Sequence, residues 1–175
     1  MKNPIDIILE HEGGFVNNSV DRGGPTNFGI TQDTLSQWRG YAVSVNEVRD
    51  MTEEEARSIY SQKYLTGPKI DKLPWPNPGI KVFDIGVNSG PRRAIKMLQK
   101  ILNQAGFPSG HPDGVIGPKT ISACEKAQAE MGNYLQNALV EERIKFYLAI
   151  VSGNPSQKVF LKGWLRRAES FRLPV

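Results

Sequence analysis

Three side chains near the start of the chain have the types and spacing that chemistry needs. Glu12 stands before Gly13-Gly14, Asp21 follows nine residues later, and Thr26 five residues after that. Gly23-Gly24-Pro25 and Gly29 enclose the set in turn-forming sequence. Two carboxyl groups and a water-holding hydroxyl are the parts required to break a glycosidic bond: one carboxyl protonates the leaving oxygen, and the other orients or activates water. A carboxyl at the negative end of a helix, and partly out of water, is favoured in its protonated form, the state a general acid must hold. Asp21, on a polar turn, is expected to stay ionised, with Thr26 holding the same water. The same residues also fit a plainer account: a surface carboxylate, a turn former and an ordinary strand residue. Spacing alone does not choose between them.

The elements that must position these groups follow from local pattern. Asn3 suits a helix cap, Pro4 the first helical position and Asp6 the first turn. Ile5, Ile8 and Leu9 share a face with Glu12 next along it, and Gly13-Gly14 ends the helix. Residues 15–31 read as a small hairpin or meander, and Thr31–Gly40 as a short helix. Thr52-Glu53-Glu54-Glu55 is a capping box that opens a helix to about Tyr64. Pro74, Pro76 and Pro78 force a loop. Helical spacing returns over Ile80–Asn88, with Ile80, Phe83 and Val87 on one side. It continues over Arg92–Ala105 with Ile95, Leu98, Ile101 and Leu102 inward, from Pro118, over Asn133 to about Val151, and over Ser156–Phe171. The expected fold class is α+β and mostly α: a small N-terminal β-hairpin element with a helical lobe, divided into a catalytic region 1–91 and a helical region 92–175 packed on it.

The run from His11-Glu12-Gly13-Gly14 through Asp21-Arg22-Gly23-Gly24-Pro25-Thr26-Asn27-Phe28-Gly29-Ile30-Thr31 strongly resembles glycoside hydrolase family 108. These are N-acetylmuramidases of phage endolysins and of prophage-like lysis or secretion cassettes. Glu12, Asp21 and Thr26 are similar to the Glu–Asp–Thr triad of phage-type lysozymes, which usually has five residues before the Thr where this chain has four. The resemblance continues through Phe83–Pro91 and Ala94–Gln99. Pro112–Thr120 is similar to the start of the family's C-terminal peptidoglycan-associated region, and Gly163–Arg167 to its closing helix. It implies a lysozyme-like fold and hydrolysis between N-acetylmuramic acid and N-acetylglucosamine, with peptidoglycan as substrate, no metal or cofactor, and a monomer released to the wall by a holin-like pore.

Further residues are candidates for holding sugar. Asn27 and Phe28 lie in the hairpin beside Thr26. Asp84 and Asn88 are four apart and share a helix face. They either hydrogen-bond sugar in a cleft or form an internal polar link from lobe to hairpin. Tyr64 and Trp75 offer faces for a pyranose ring, although packing under the proline loop is the commoner use of such rings. Asp113-Gly114 with Gly117 resembles a turn of peptidoglycan-binding modules, and a turn that merely starts the next helix needs the same residues. The basic C-terminal run, Lys158, Lys162, Arg166, Arg167 and Arg172, interleaves with Phe160, Leu161, Trp164, Leu165 and Phe171. It either touches an anionic membrane or docks on a core with its charges in water.

Composition bounds the remainder. The 175 residues are 39% hydrophobic and 23% charged, as in an ordinary globular protein, with a net charge of +4 and a pI near 9.2. Such basicity favours anionic partners, among them the teichoic and peptide carboxylates of a cell wall. Without an arginine-rich run or an aromatic nucleic-acid motif, nucleic acid is not expected. Cys124 is the single cysteine, so it forms no internal disulfide and reads as a buried thiol. No apolar run approaches the ~20 residues that span a bilayer. The N-terminus lacks the pattern of a secretory signal, so the expected location is the host cytoplasm until release to the wall. Two rival readings stay open. A lytic transglycosylase also relies on one Glu and needs no water-orienting Asp; a wall-binding or secretion-assisting protein would use the fold without the chemistry.

Overall fold

The computed structural model describes residues 2–17 and 23–175, and the chain packs as two units, Met1–Lys63 and Tyr64–Val175. The boundary expected at residue 91 lies within the second unit, at the junction of two helices that pack on each other.

The first unit begins with α1 (Pro4–His11), capped by Asn3, whose Oδ1 accepts from the Ile5 amide at 2.9 Å. Ile5 and Ile8 are its buried face. Asp6 pairs with Arg57 of α4 (Glu53–Ile59) at 2.7 Å. The hairpin is minimal: β1 (Thr26–Asn27) runs antiparallel to β2 (Ile30–Thr31), with Thr26 opposite Thr31 and Asn27 opposite Ile30. Phe28 and Gly29 form its turn, both at positive φ (52° and 76°). This is the turn geometry that matches the twist of a two-residue hairpin loop. Thr31 then caps α2 (Gln32–Arg39), which ends at Gly40 in the left-handed region.

Two differences from expectation have local causes. A helix α3 (Val45–Arg49) is present where none was read. It is too short to show a period, yet Ser44 and Glu47 form a full capping box. At the next helix Thr52 does accept from the Glu55 amide at 3.2 Å, but the Glu55 carboxylate turns away to take a two-pronged contact from Arg39 at 2.7 and 3.1 Å. The α-helical hydrogen bonding stops at Ile59, and a π-helix, Tyr60–Thr66, carries the chain onward.

The second unit is helical. A 3₁₀ turn (Ile70–Lys72) and the proline loop lead into α5 (Gly79–Ser89). This helix is not amphipathic in the expected way: Lys81, Val82, Phe83, Asp84, Ile85 and Gly86 are all buried, while Ile80 and Val87 are only partly so. It is therefore the central helix of the unit, wrapped by its neighbours. On it pack α6 (Pro91–Gln104) and α8 (Asn133–Gly153), α9 (Lys158–Glu169) reaches it through Arg167, and α7 (Pro118–Met131) packs outside, on α6 and α8. The expected stripe of α6 is the buried one, Ile95, Leu98, Ile101 and Leu102. The Gln99 side chain holds the Asp113-Gly114 turn, donating to Asp113 and Val115 at 3.1 Å and accepting from the Gly114 amide at 2.9 Å. The C-terminal segment docks on α8: Trp164 stacks on Tyr147 at 5.0 Å, and Gln136 and Asn137 donate to the carbonyls of Phe171 and Leu173. No helix among the described residues is long and apolar enough to cross a membrane.

Candidate active site

Glu12 closes α1. Its amide still donates to the Ile8 carbonyl at 2.9 Å, but its own backbone is already extended (φ −88°, ψ 138°), so the helix ends on the glutamate itself. From there Glu12 reaches the hairpin turn. A Cβ placed on Gly29 would lie 2.4 Å from Glu12 Oε2 and 2.5 Å from Cδ, so the carboxyl lies flat against the Gly29 α-carbon. Only glycine combines this closeness with the positive φ of the site. The strand side of the frame is fixed by Val16 and Thr26, which exchange both backbone hydrogen bonds at 2.8 Å. The chain leaving Glu12 is thereby pinned to the strand that carries Thr26. Phe15, in the same segment, lies under the Arg49 guanidinium at 5.0 Å.

The hairpin tip is anchored to helices. Asn27 is buried, and its amide donates to the carbonyls of Val48 (3.1 Å) and Arg49 (2.9 Å), closing the end of α3. Its side chain is committed to that internal role. The Phe28 carbonyl accepts from the Tyr60 hydroxyl, and the Phe28 ring is half-buried. Asp21 lies outside the described residues. The part of this site that sequence reasoning missed is its support: Gly29 under the carboxyl, and Tyr60 and Asn27 as anchors. The Phe28-Gly29 pair was the one local signal for the turn.

Tyr64, Trp75, Asp84 and Asn88 belong to the second unit. Trp75 packs on its own loop, with its ring against the Gly79 α-carbon, where a Cβ would come within 2.3 Å. Tyr64 is half-buried. Asp84 is 2% exposed, and both its oxygens are engaged, by Arg167 Nε at 2.8 Å and Lys81 Nζ at 3.3 Å. It is an internal link, and the link runs from α5 to α9 rather than to the hairpin. Burial lowers the Lys81 ammonium to about 8 despite that carboxylate. Arg143, also buried, lies over the Phe146 and Tyr147 rings and donates to Ser89 Oγ at 2.5 Å. Asn88 is exposed, and its amide donates to the Tyr147 hydroxyl at 2.9 Å.

A mostly helical chain whose small antiparallel hairpin sits beside a glutamate at a helix end has the lysozyme-like α+β architecture. Comparison with known proteins agrees. The sequence model described as Glycosyl hydrolase 108 matches residues 5–90, and the one described as Predicted Peptidoglycan domain matches residues 93–169. Among solved structures the chain is similar to one titled "Structure of Brucella abortus SagA", at 36% identity and a TM-score of 0.80, covering 96% of this chain and 88% of that one. No curated protein matched significantly. The chain belongs to the glycoside hydrolase 108 family, and is a glycoside hydrolase of the N-acetylmuramidase type that acts on peptidoglycan.

Proposed function

We propose that the chain is an endolysin that causes cell lysis, with Glu12 as the general acid for cleavage between N-acetylmuramic acid and N-acetylglucosamine. Glu12 gives its proton to the leaving glycosidic oxygen. Asp21 and Thr26 hold the water that attacks the anomeric carbon from the opposite face, and the sugar inverts in a single displacement. The protein waits in the cytoplasm as a monomer until a holin-like pore admits it to the wall. The observation that carries this reading is the seating of the Glu12 carboxyl on Gly29, which fixes a proton donor against the hairpin turn. A surface carboxylate of no function would require neither a bare α-carbon beneath it nor a turn tied down by Asn27 and Tyr60.

The test is digestion of purified peptidoglycan, with product masses and new reducing ends measured together. Hydrated muramic ends are expected from the parent, and Glu12→Gln is expected to lose at least ~100-fold in rate while folding normally. Anhydro products from the parent would replace hydrolysis by transglycosylation, and near-normal cleavage by Glu12→Gln would remove Glu12 from the mechanism. For the cellular role, a culture expressing the protein alone is expected to grow steadily and to clear only when chloroform opens the membrane. Continued turbidity after chloroform would end the endolysin reading.

A further inference from the structure

A groove lies between α6 and α8, wholly within the second unit. Arg93, Lys96, Met97 and Lys100 follow one another along a single face of α6 and border a groove of about 460 Å³, closed on the other side by Glu142, Lys145 and Phe146 of α8. Four cations face one carboxylate, an excess of three positive charges against four for the entire chain. Lys145 holds that carboxylate at 3.1 Å. Among the described residues, none of Arg93, Lys96 or Lys100 has a carboxylate partner. Like charges gathered without counter-charges repel one another, and an anion bound among them relieves that repulsion.

The shape of the groove selects among anions. From Arg93 to Lys100 the α6 face runs about 10 Å at 1.5 Å per residue. That is the reach of three or four residues of extended peptide at about 3.3 Å each. The cations are spread along the groove rather than aimed at one point, as a lone phosphate would require. Between them lies apolar surface: Met97, and the Phe146 ring with the Arg93 guanidinium 5.0 Å from its centre. A ligand that alternates carboxylates with small apolar side chains uses both features, whereas a polyphosphate uses only the charges.

We propose that this groove binds the acidic peptide stems of peptidoglycan, and so holds the wall while the glycan is cut. The proposal rests on the reading of the chain as a peptidoglycan hydrolase, and its test separates the two. Full-length Glu12→Gln, which cannot consume the wall, is titrated by calorimetry with stem peptides released from purified walls by an amidase. Parallel titrations use glycan strands stripped of stems, and inorganic polyphosphate. Saturable, salt-weakened binding of the stem peptides is expected. Adding Lys96→Glu and Lys100→Glu is expected to weaken it at least about tenfold, and adding Glu142→Gln instead to tighten it by about two- to fivefold. No peptide binding, equal affinity in a Lys96→Glu/Lys100→Glu protein that melts normally, or a groove-dependent preference for polyphosphate would each overturn the proposal. Cleavage of intact purified peptidoglycan by the parent is measured separately: its absence would sink the hydrolase reading and leave the peptide result standing.

Discussion

Gly29→Ala separates the geometry of the acid from the stability of the fold. The new methyl carbon would lie 2.4 Å from Glu12 Oε2, whereas ordinary contact begins near 3.5 Å. The carboxyl must therefore retreat by about 1 Å. A misplacement of that size costs about 100-fold in rate when the displaced group takes part in the reaction. The backbone at residue 29 also stays at positive φ, a strain of roughly 1–2 kcal/mol for alanine, or roughly 2–8 °C in the melting temperature of a chain this size. Gly40 supplies the control. Its φ is +82°, and a Cβ there would meet nothing within 4 Å. Gly40→Ala is thus expected to lose similar stability and almost no activity. The assay is release of reducing ends from purified walls at saturating substrate, alongside thermal melts of both variants. If Gly29→Ala keeps its rate within threefold of the parent, or if both variants lose rate equally, the placement of Glu12 on Gly29 does not serve catalysis.

Three other outcomes follow from the second unit. Asp84→Asn leaves the Lys81 and Arg167 charges without their buried counter-charge, and should cost about 3–5 kcal/mol in urea unfolding; a loss under 1 kcal/mol would show that the cluster is not a structural link. Lys81 titrates near 10.5 when unfolded and about 8 when folded, so between those values the unfolded chain holds more protons. Its contribution to stability therefore rises with pH across that window. The slope of unfolding free energy between pH 8 and 10 should fall in Lys81→Met, and an unchanged slope would refute the assignment. Burial pushes the Cys124 thiol up to about 12, so iodoacetamide at pH 8 should modify it only in denaturant; rapid labelling of the native protein would contradict that.

What could be read from the sequence was local. Helix α6 declares itself because Ile95, Leu98, Ile101 and Leu102 repeat at helical spacing, and α1 because Asn3, Pro4 and Asp6 mark its start. Glu12 and Thr26 stand out in the sequence because both lie within one short glycine-marked segment, and the backbone pair of Val16 with Thr26 ties that segment together. The meaning of Asp84 was not legible, since its partner Arg167 lies 83 residues away, and buried charges carry no periodic mark. Asn27 read as a sugar contact because nothing near it announces α3, whose end it closes. The π-helix escaped for a related reason: Tyr60–Thr66 keeps a helical pattern, and only the hydrogen-bond spacing changes.

The anchoring of the hairpin tip limits how far this candidate catalytic segment can be transplanted. Strands of two residues cannot hold themselves together in water. Here their shape is borrowed from α3 through Asn27, and from the start of the π-helix through the Tyr60 hydroxyl. A fragment ending after Thr31 would carry Glu12, Asp21 and Thr26 and still lack the scaffold that keeps the turn beneath the acid. The smallest portable piece is thus set by Tyr60 rather than by the last candidate catalytic residue. A chimera that grafts the motif onto another scaffold must import α2, α3 and α4 with it, or supply two equivalent tethers of its own.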